Sequence, residues 1–154
     1  MKKLVLLLFI IANSLYGELI TDLEVKWVVD GDTVHATKKG KLYKIRLTEI
    51  DAPERDQPYG AESTKLLKLL LKDGYFNADM SGTDRYGRHL GRLYDNDIDI
   101  NRELVEQGLA WVYDKYVTDK SFYDNQNSAK IKNRGLWQDS QSIPPWSWRE
   151  KSRK

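Results

Sequence analysis

A chain of 154 residues, 40% of them hydrophobic, can bury the core of one domain, and its lack of cysteine excludes disulfide bonds, thiol catalysis and cysteine-based metal centres. The formal net charge of +2 is due to two lysines in residues 1–17, because the rest of the chain has 23 basic and 23 acidic residues. Overall basicity therefore gives no indication of nucleic-acid binding, which would need local patches of charge.

The first residues have the pattern of a secretory signal peptide. A basic start at residues 1–3 precedes an apolar run over residues 4–12, and small residues follow it. The run is short for a bilayer span, and the alternative is a buried helix. We predict a signal peptide over residues 1–17, cleaved after Gly17 rather than Ser14. The mature protein is then exported, to the periplasm, the cell surface or the medium, and has no stable membrane insertion.

Five segments have apolar residues at alternate positions, which is typical of half-buried strands. These predicted strands cover residues 23–29, 33–37, 42–47, 75–80 and 90–94. Tight turns between the first three predict an antiparallel meander. Trp27 falls on the predicted buried face of the first strand, so we expect Trp27→Ala to unfold the protein.

About three helices are interspersed with these strands. Leucines and lysines at helical spacing follow Gly60, and Asp99 and Asp119 are typical N-terminal caps of two further helices. The prolines in residues 143–148 predict an extended tail. This order fits an α+β fold built on a five-stranded barrel of the oligonucleotide-binding (OB) type. We predict one domain over residues 18–137 and a tail, 138–154, that packs on it or extends it.

Two acidic clusters interrupt segments that otherwise resemble core. They are Asp30-Gly31-Asp32-Thr33 and Asp51-Ala52-Pro53-Glu54. Asp32 and Asp51 are candidate metal ligands, and oxygen donors without His or Cys favour Ca²⁺, Mg²⁺ or Mn²⁺ over zinc. Each cluster alone is also a common turn sequence. Glu54 is a candidate general base, or simply a solvated loop acid.

Arg46 lies between the two clusters, in the third predicted strand. A half-buried guanidinium must be paired, either with a phosphate or with a carboxylate such as Glu49 or Asp51. Because the separation of Arg46 and Asp51 is odd, a regular strand would point them to opposite sides. We therefore predict a bulge or a strand end between Leu47 and Ile50.

A second arginine follows in Asp84-Arg85-Tyr86-Gly87-Arg88, on a glycine turn ahead of a predicted strand. Two arginines that flank one metal ion could clamp a phosphodiester and stabilise the charge that develops on its oxygens.

Taken together, these segments resemble the staphylococcal nuclease (thermonuclease) family over about residues 23–137. The two acidic clusters, Arg46, the segment 84–88 and Gly108-Leu109-Ala110 occur in the family's order with similar spacing, and the terminal Pro-Pro-Trp-Ser-Trp-Arg resembles the tail of bacterial exported members. The resemblance implies the five-stranded OB barrel with helices. It also implies an enzyme that cleaves DNA and RNA with little sequence preference and leaves 3′-phosphate ends.

The resemblance implies a Ca²⁺ site. Asp32, Asp51 and the backbone carbonyl of Ala52 would bind the ion, and Asp30 would lie close behind them. The type member of the family has threonine where this chain has Ala52. Only the carbonyl of that residue is required, so the difference leaves the site intact.

The resemblance also implies roles around the phosphate. Glu54 would orient or deprotonate the attacking water. Arg46 and Arg88 would bind the phosphate and stabilise the pentacoordinate transition state. Tyr86 and Tyr113 would contact the substrate, and we expect the enzyme to act as a monomer.

Two other functions are compatible with parts of the sequence. Residues 28–33 also fit the strand and Asp-x-Asp-x-Thr signature of a Mg²⁺-dependent phosphatase with Asp30 as nucleophile, but the chain lacks the alternating strand–helix order of a parallel sheet. A non-catalytic nucleic-acid-binding module on the same barrel is the second alternative. The complete acidic and arginine set argues against it.

Overall fold

The structure, a computed structural model, describes residues 17–153. The signal segment predicted at the N-terminus lies outside the described residues except for Gly17. The strands are β1 (Glu18–Asp30), β2 (Thr33–Lys38), β3 (Lys41–Leu47), β4 (Ile50–Asp51), β5 (Tyr75–Thr83), β6 (His89–Asp95), β7 (Ile98–Asp99) and β8 (Trp111–Val112). The helices are α1 (Gly60–Leu70), α2 (Ile100–Glu106), α3 (Phe122–Ile131) and α4 (Pro145–Lys151), with a 3₁₀ turn at Gly135–Gln138.

Strands β1, β2, β3, β6 and β5 close into a five-stranded barrel. Neighbouring strands pair antiparallel except β3 and β6, whose parallel pairing closes the barrel. Strand β7 adds to β6, and β4 pairs separately with β8. The predicted α+β barrel of OB type is confirmed, with four α-helices rather than about three. Within residues 17–153, β3–β6 is the only parallel pairing, so the parallel sheet of the phosphatase alternative is not formed there.

One core fills the barrel and the space beneath the first three helices. In β3, Ile45 and Leu47 are fully buried, whereas Lys44 faces outward, as the alternating pattern predicts. The helices add large buried side chains, among them Leu67 of α1 and Phe122 of α3. No helix within residues 17–153 is both long and apolar enough to cross a membrane.

Trp27 is not part of this core. Its side chain is 51% exposed, so the prediction that it faces inward is wrong. The β1–β2 pairing shifts register between Val25 and Trp27, and such a bulge changes which residues face inward. Beyond it Val28 packs against the core instead, while the Trp27 ring lies 4.5 Å from that of His35. We therefore withdraw the expectation that Trp27→Ala unfolds the protein.

Leu23 and Trp27 make a matched pair for testing this assignment. Leu23 is fully buried, and Leu23→Ala is expected to lower the free energy of unfolding by about 3 kcal/mol, through lost contacts and the cavity that remains. Trp27→Ala is expected to lower it by about 1 kcal/mol or less, as for other surface changes. Urea unfolding of both variants measures the difference, and a larger loss for Trp27→Ala would contradict the assigned faces.

The C-terminal tail contains a helix, contrary to the extended tail predicted from its prolines. Pro145 occupies the first helical position, where its missing N–H would have no partner in any case. Trp146 stacks on Tyr113, with ring centroids 5.3 Å apart and planes 2° from parallel. Trp148 donates its indole N–H to Asp56 at 3.3 Å. These contacts hold α4 against the loop that follows β4 and against the segment that follows β8.

The two predicted caps have different outcomes. Asp99 caps α2 by accepting the backbone N–H of Arg102 at 3.1 Å, which confirms that prediction. The cap predicted at Asp119 is wrong, because α3 begins after Ser121. Asp119 instead accepts the backbone N–H and the hydroxyl of Ser121, and the guanidiniums of Arg92 and Arg102 each lie 3.0 Å from it.

Asp119 is therefore expected to contribute to stability in an acid-sensitive way. The bond from the Ser121 hydroxyl lowers the pKa of Asp119 most, burial opposes this, and the Arg92 guanidinium adds to it, which gives about 2 against an ordinary value of 3.8. Since the folded-state pKa is depressed, the stabilisation is complete above about pH 4 and is lost as the pH falls towards 2. Urea unfolding between about pH 2 and 5 should show a smaller pH dependence for Asp119→Asn than for the wild type. Equal slopes would contradict this, and Asp97→Asn, in an exposed turn, is the control.

Candidate active site

The two acidic clusters meet where the strands of the barrel end. Asp32 lies in the turn between β1 and β2, and Asp51 is the last residue of β4. The backbone N–H of Leu47 donates to the carbonyl of Asp32 at 2.8 Å. The backbone N–H of Ala52 donates to the Asp32 carboxylate at 2.7 Å. These bonds place the second cluster directly beside the first.

The strand end predicted after Leu47 is present, and it redirects Asp51. β3 stops at Leu47 and β4 begins at Ile50. Between them Glu49 has a φ of 69°, which turns the chain out of strand geometry. The guanidinium of Arg46 spans this break by donating to the carbonyls of Leu47 and Ile50. Arg46 and Asp51 can therefore meet despite their odd separation.

Arg46 joins the two carboxylates through a single nitrogen. Its Nη2 lies 2.9 Å from Oδ1 of Asp51 and 3.1 Å from Oδ2 of Asp32. The side chains of Arg46 and Asp51 are only 12% and 2% exposed. Of the carboxylate partners that the sequence left open, Asp51 is the one observed, because Glu49 accepts hydrogen bonds from Thr118 instead. The two aspartates thus converge on one cationic point.

Gly31 permits this close approach because no side chain would fit there. A Cβ on Gly31 would lie 2.1 Å from Oγ of Ser63 and 2.8 Å from the Cβ of Ala52. Ser63 is fully buried in α1 and donates its hydroxyl to the carbonyl of Leu109 at 2.7 Å. The turn that carries Asp32 is therefore packed tightly between α1 and the end of β4.

Glu54 lies on the loop between β4 and α1, which Gln57 holds in place. The backbone N–H of Glu54 donates to Oε1 of Gln57 at 3.1 Å. The other end of that buried amide donates to the carbonyl of Ile143, in the tail, at 2.8 Å. The side chain of Glu54 is 37% exposed. It therefore stands at the edge of the carboxylate cluster, where water can reach it.

Arg149 of α4 completes the cluster, and sequence reasoning missed it. Its Nη2 lies 2.7 Å from Oδ2 of Asp51, and its Nη1 lies 2.7 Å from Oε1 of Glu54. Burial lowers the pKa of the Arg149 guanidinium, but the bonds to Asp51 and Glu54 outweigh burial and raise it. The only signal in the sequence was the Trp-Ser-Trp-Arg motif, noted as a likeness to family tails and not as part of a site.

The cluster is crowded with negative charge. Burial, and after it the negative charge of neighbouring Asp32, raise the pKa of Asp30 to about 6. Burial also raises the pKa of Asp51, while the bond from Arg149 opposes this shift. Within residues 17–153, the four carboxylates of this cluster are contacted by two guanidiniums, those of Arg46 and Arg149. The carboxylates are those of Asp30, Asp32, Asp51 and Glu54. Such an excess of negative charge favours binding of a cation.

The donor set fits a hard divalent cation better than zinc. No three His, Cys, Asp or Glu side chains within residues 17–153 are grouped to hold a metal ion by themselves. Asp32 and Asp51 do converge on one nitrogen, so their oxygens can share a single ion. A backbone carbonyl, such as that of Ala52, and water would complete an oxygen shell of the kind that Ca²⁺ prefers.

Arg88 and Tyr86 lie apart from the carboxylate cluster, on the turn between β5 and β6. Asp84 organises this turn: it accepts the backbone N–H groups of Tyr86 and Arg88 and the Nε–H of Arg88 at 2.8 Å. The strand pairing sets Leu90 beside Arg46. Arg88 is therefore two residues from the position next to Arg46, and its observed ion pair is with Asp84.

The two tyrosines considered as substrate contacts differ in exposure. Tyr86 is 68% exposed, and its hydroxyl accepts a bond from Arg85 at 2.7 Å. Tyr113 lies beneath Trp146 and also meets Tyr116 edge to face, at 4.9 Å between ring centroids. Tyr86 is open to a nucleic acid, whereas one face of Tyr113 is covered by the tail.

Comparisons with known proteins show which proteins this chain is similar to. A family model described as staphylococcal nuclease homologue matches residues 44–139. An uncharacterized endonuclease of Escherichia coli O157:H7 is 42% identical over 125 residues, which cover 80% of this chain and 82% of the relative. Another from Haemophilus influenzae is 39% identical over 149 residues, 96% of this chain and 83% of the relative. A micrococcal nuclease of Shigella flexneri is 33% identical over 141 residues, covering 84% and 81%.

Proposed function

Because the chain belongs to the staphylococcal nuclease family and is an endonuclease, a phosphodiester hydrolase, we propose that it uses Ca²⁺ to cleave both DNA and RNA. Cleavage has little sequence preference and leaves 3′-phosphate ends. The observation that carries this proposal is the convergence of Asp32 and Asp51 on Nη2 of Arg46, with Glu54 on the adjoining loop. Oxygen ligands, a phosphate-binding fork and a base are thereby combined in one place.

Asp32, Asp51 and the carbonyl of Ala52 would hold the cation. Bound there, the ion supplies Lewis-acid neutralisation of charge on the phosphate. Asp30 supports these ligands from two positions before Asp32, because its Oδ1 accepts the backbone N–H of Asp32 at 3.1 Å. This bond keeps the turn in a conformation that directs the Asp32 carboxylate towards Ala52.

The remaining steps are assigned to side chains of this protein. Glu54 orients a water molecule and accepts its proton as the water oxygen attacks phosphorus. The bond from phosphorus to the 5′-oxygen breaks, and the 5′-oxygen takes a proton from solvent water and leaves as a hydroxyl group. The phosphate therefore remains on the 3′-oxygen. Arg46 and Arg88 donate hydrogen bonds to the non-bridging oxygens, where negative charge accumulates in the transition state. Tyr86 contacts the nucleotide chain beside Arg88, and Tyr113 contacts it with the part of its ring that Trp146 leaves open.

Removal of calcium tests the proposal directly. The chain from Glu18 onward is incubated with single-stranded DNA, double-stranded DNA and RNA, with and without a calcium chelator. We expect cleavage of all three substrates with Ca²⁺, loss of cleavage on chelation, and recovery when Ca²⁺ is returned. Mass spectrometry of the products should show 3′-phosphate ends. Binding without cleavage would favour the non-catalytic module, and 5′-phosphate ends would contradict the assigned leaving group.

We also propose that the enzyme acts outside the cytoplasm. The support is the basic start and the apolar run of residues 1–12, followed by small residues. Mass spectrometry of the protein recovered from a producing cell is expected to find Glu18 as the first residue. A retained Met1 would contradict export by cleavage.

A further inference from the structure

The tail helix inserts a guanidinium among the groups assigned to the cation and to the water. Arg149 approaches both oxygens of Asp51, at 2.7 and 3.3 Å, and one oxygen of Glu54 at 2.7 Å. Arg46 takes Oδ1 of Asp51 at 2.9 Å from its own side. Asp51 is thus shared by two guanidiniums, and a cation bound to Asp51 would displace at least part of these contacts.

Helix α4 is held in place independently of this ion pair. The Trp146 ring stacks on Tyr113 and also meets Trp111 edge to face, at 6.1 Å between centroids. The indole of Trp148 bonds Asp56, and the carbonyl of Ile143 accepts the Gln57 amide. If the bond to Asp51 is broken, the backbone at Arg149 therefore stays beside the site.

The Arg149 side chain is also within reach of a ligand from solution. It is 33% exposed and lines an open surface cleft of about 270 Å³ together with Glu54, Asp56 and Trp148. Glu54 is the residue assigned to the attacking water, so the reacting phosphate must come close to it. A guanidinium bonded to Glu54 therefore lies beside the position that this phosphate must take.

We propose that Arg149 is a third phosphate-binding arginine of this enzyme, which exchanges its contact with Asp51 for the substrate phosphate when a divalent cation binds Asp51. This inference rests on the proposed function. A cation at Asp51 repels the guanidinium and neutralises the negative charge that attracted it. The planar guanidinium can then donate two hydrogen bonds to the phosphate, in place of those that it donated to the carboxylate.

Calorimetry measures the affinity for Ca²⁺ and the affinity for a phosphate ligand separately, without relying on activity. The wild type, Arg149→Gln and Arg149→Lys are titrated with CaCl₂ at fixed ionic strength. Lys151→Gln removes one charge from the same helix and is the control. Arg149→Gln is expected to bind Ca²⁺ roughly three- to tenfold more tightly, because a competing ion pair is absent. With Ca²⁺ saturating, Arg149→Gln is expected to bind thymidine 3′-phosphate at least about tenfold more weakly than the wild type. The affinity of Arg149→Lys for this nucleotide should lie between those of the wild type and Arg149→Gln.

Tighter calcium binding with unchanged binding of the nucleotide would overturn the proposal, because Arg149 would then only compete with the cation for Asp51. Unchanged or weaker calcium binding in Arg149→Gln, with the tryptophan fluorescence of the docked tail retained, would overturn the exchange. If wild type and Lys151→Gln bind no Ca²⁺, the calcium assignment fails and the exchange fails with it. Calcium-dependent digestion by the wild type, measured in parallel, shows whether the proposed function stands when the role of Arg149 does not.

Discussion

Glu54→Gln is expected to lower the turnover number of the Ca²⁺-loaded enzyme by about 10²- to 10⁴-fold, the usual contribution of a general base. Glutamine keeps the size of the side chain and an oxygen that can accept the bond from Arg149, but it cannot take a proton from water. The fold should survive, since the Glu54 side chain is partly exposed and Gln57 holds its loop through the backbone N–H.

The matched control for this variant is Glu62→Gln, which removes a carboxylate from an exposed position of α1. Steady-state digestion of DNA gives the turnover numbers, and circular dichroism checks the fold of both variants. We expect Glu62→Gln to behave as the wild type. Full activity of a folded Glu54→Gln variant would refute the assignment of Glu54 to the attacking water.

Arg46→Gln is expected to reduce turnover by about 10²- to 10³-fold, as for removal of one donor to a transition-state oxyanion. It should also destabilise the metal-free protein. Asp32 and Asp51 both bond Nη2 of Arg46, and a largely buried carboxylate that loses its partner is costly. A bound cation replaces the missing charge, so Ca²⁺ should raise the stability of Arg46→Gln more than that of the wild type.

Urea unfolding with and without Ca²⁺ measures this second effect, and digestion kinetics measure the first. Lys65→Gln, which removes a charge from an exposed position of α1, is the control for net charge. If Ca²⁺ raises the free energy of unfolding of Arg46→Gln by no more than that of the wild type, this would contradict the idea that Arg46 and the cation neutralise the same carboxylates. Unimpaired turnover would contradict a role for Arg46 at the phosphate.

Much of the barrel could be predicted from the sequence because strand formation in this chain follows local patterns. The alternation of Ile45 and Leu47 with charged residues places β3 correctly and identifies its buried face. The strand end after Leu47 could be inferred from the odd separation of Arg46 and Asp51, since their side chains can meet only if the strand is interrupted. The cap at Asp99 is likewise a short-range interaction.

Two of the errors came from features that local patterns do not contain. Trp27 has the right spacing for the core, but a register shift in the β1–β2 pairing exposes it. The two prolines of the tail predict an extended chain, yet Pro145 is equally suited to start a helix. In both cases the partner segment, and not the sequence of the element, decides the outcome.

The same distinction applies to the candidate site. The two acidic clusters, Arg46 and the turn that carries Arg88 could be found from the sequence, because each is a short motif whose chemistry its residues define. The contact of Arg149 with Asp51 and Glu54 spans 98 and 95 positions, and it is seen only in the folded chain. That contact depends on where α4 docks, which is set by the stacking of Trp146 on Tyr113. Long-range packing of this kind has no periodic signature in the chain, since it requires only that two distant surfaces fit.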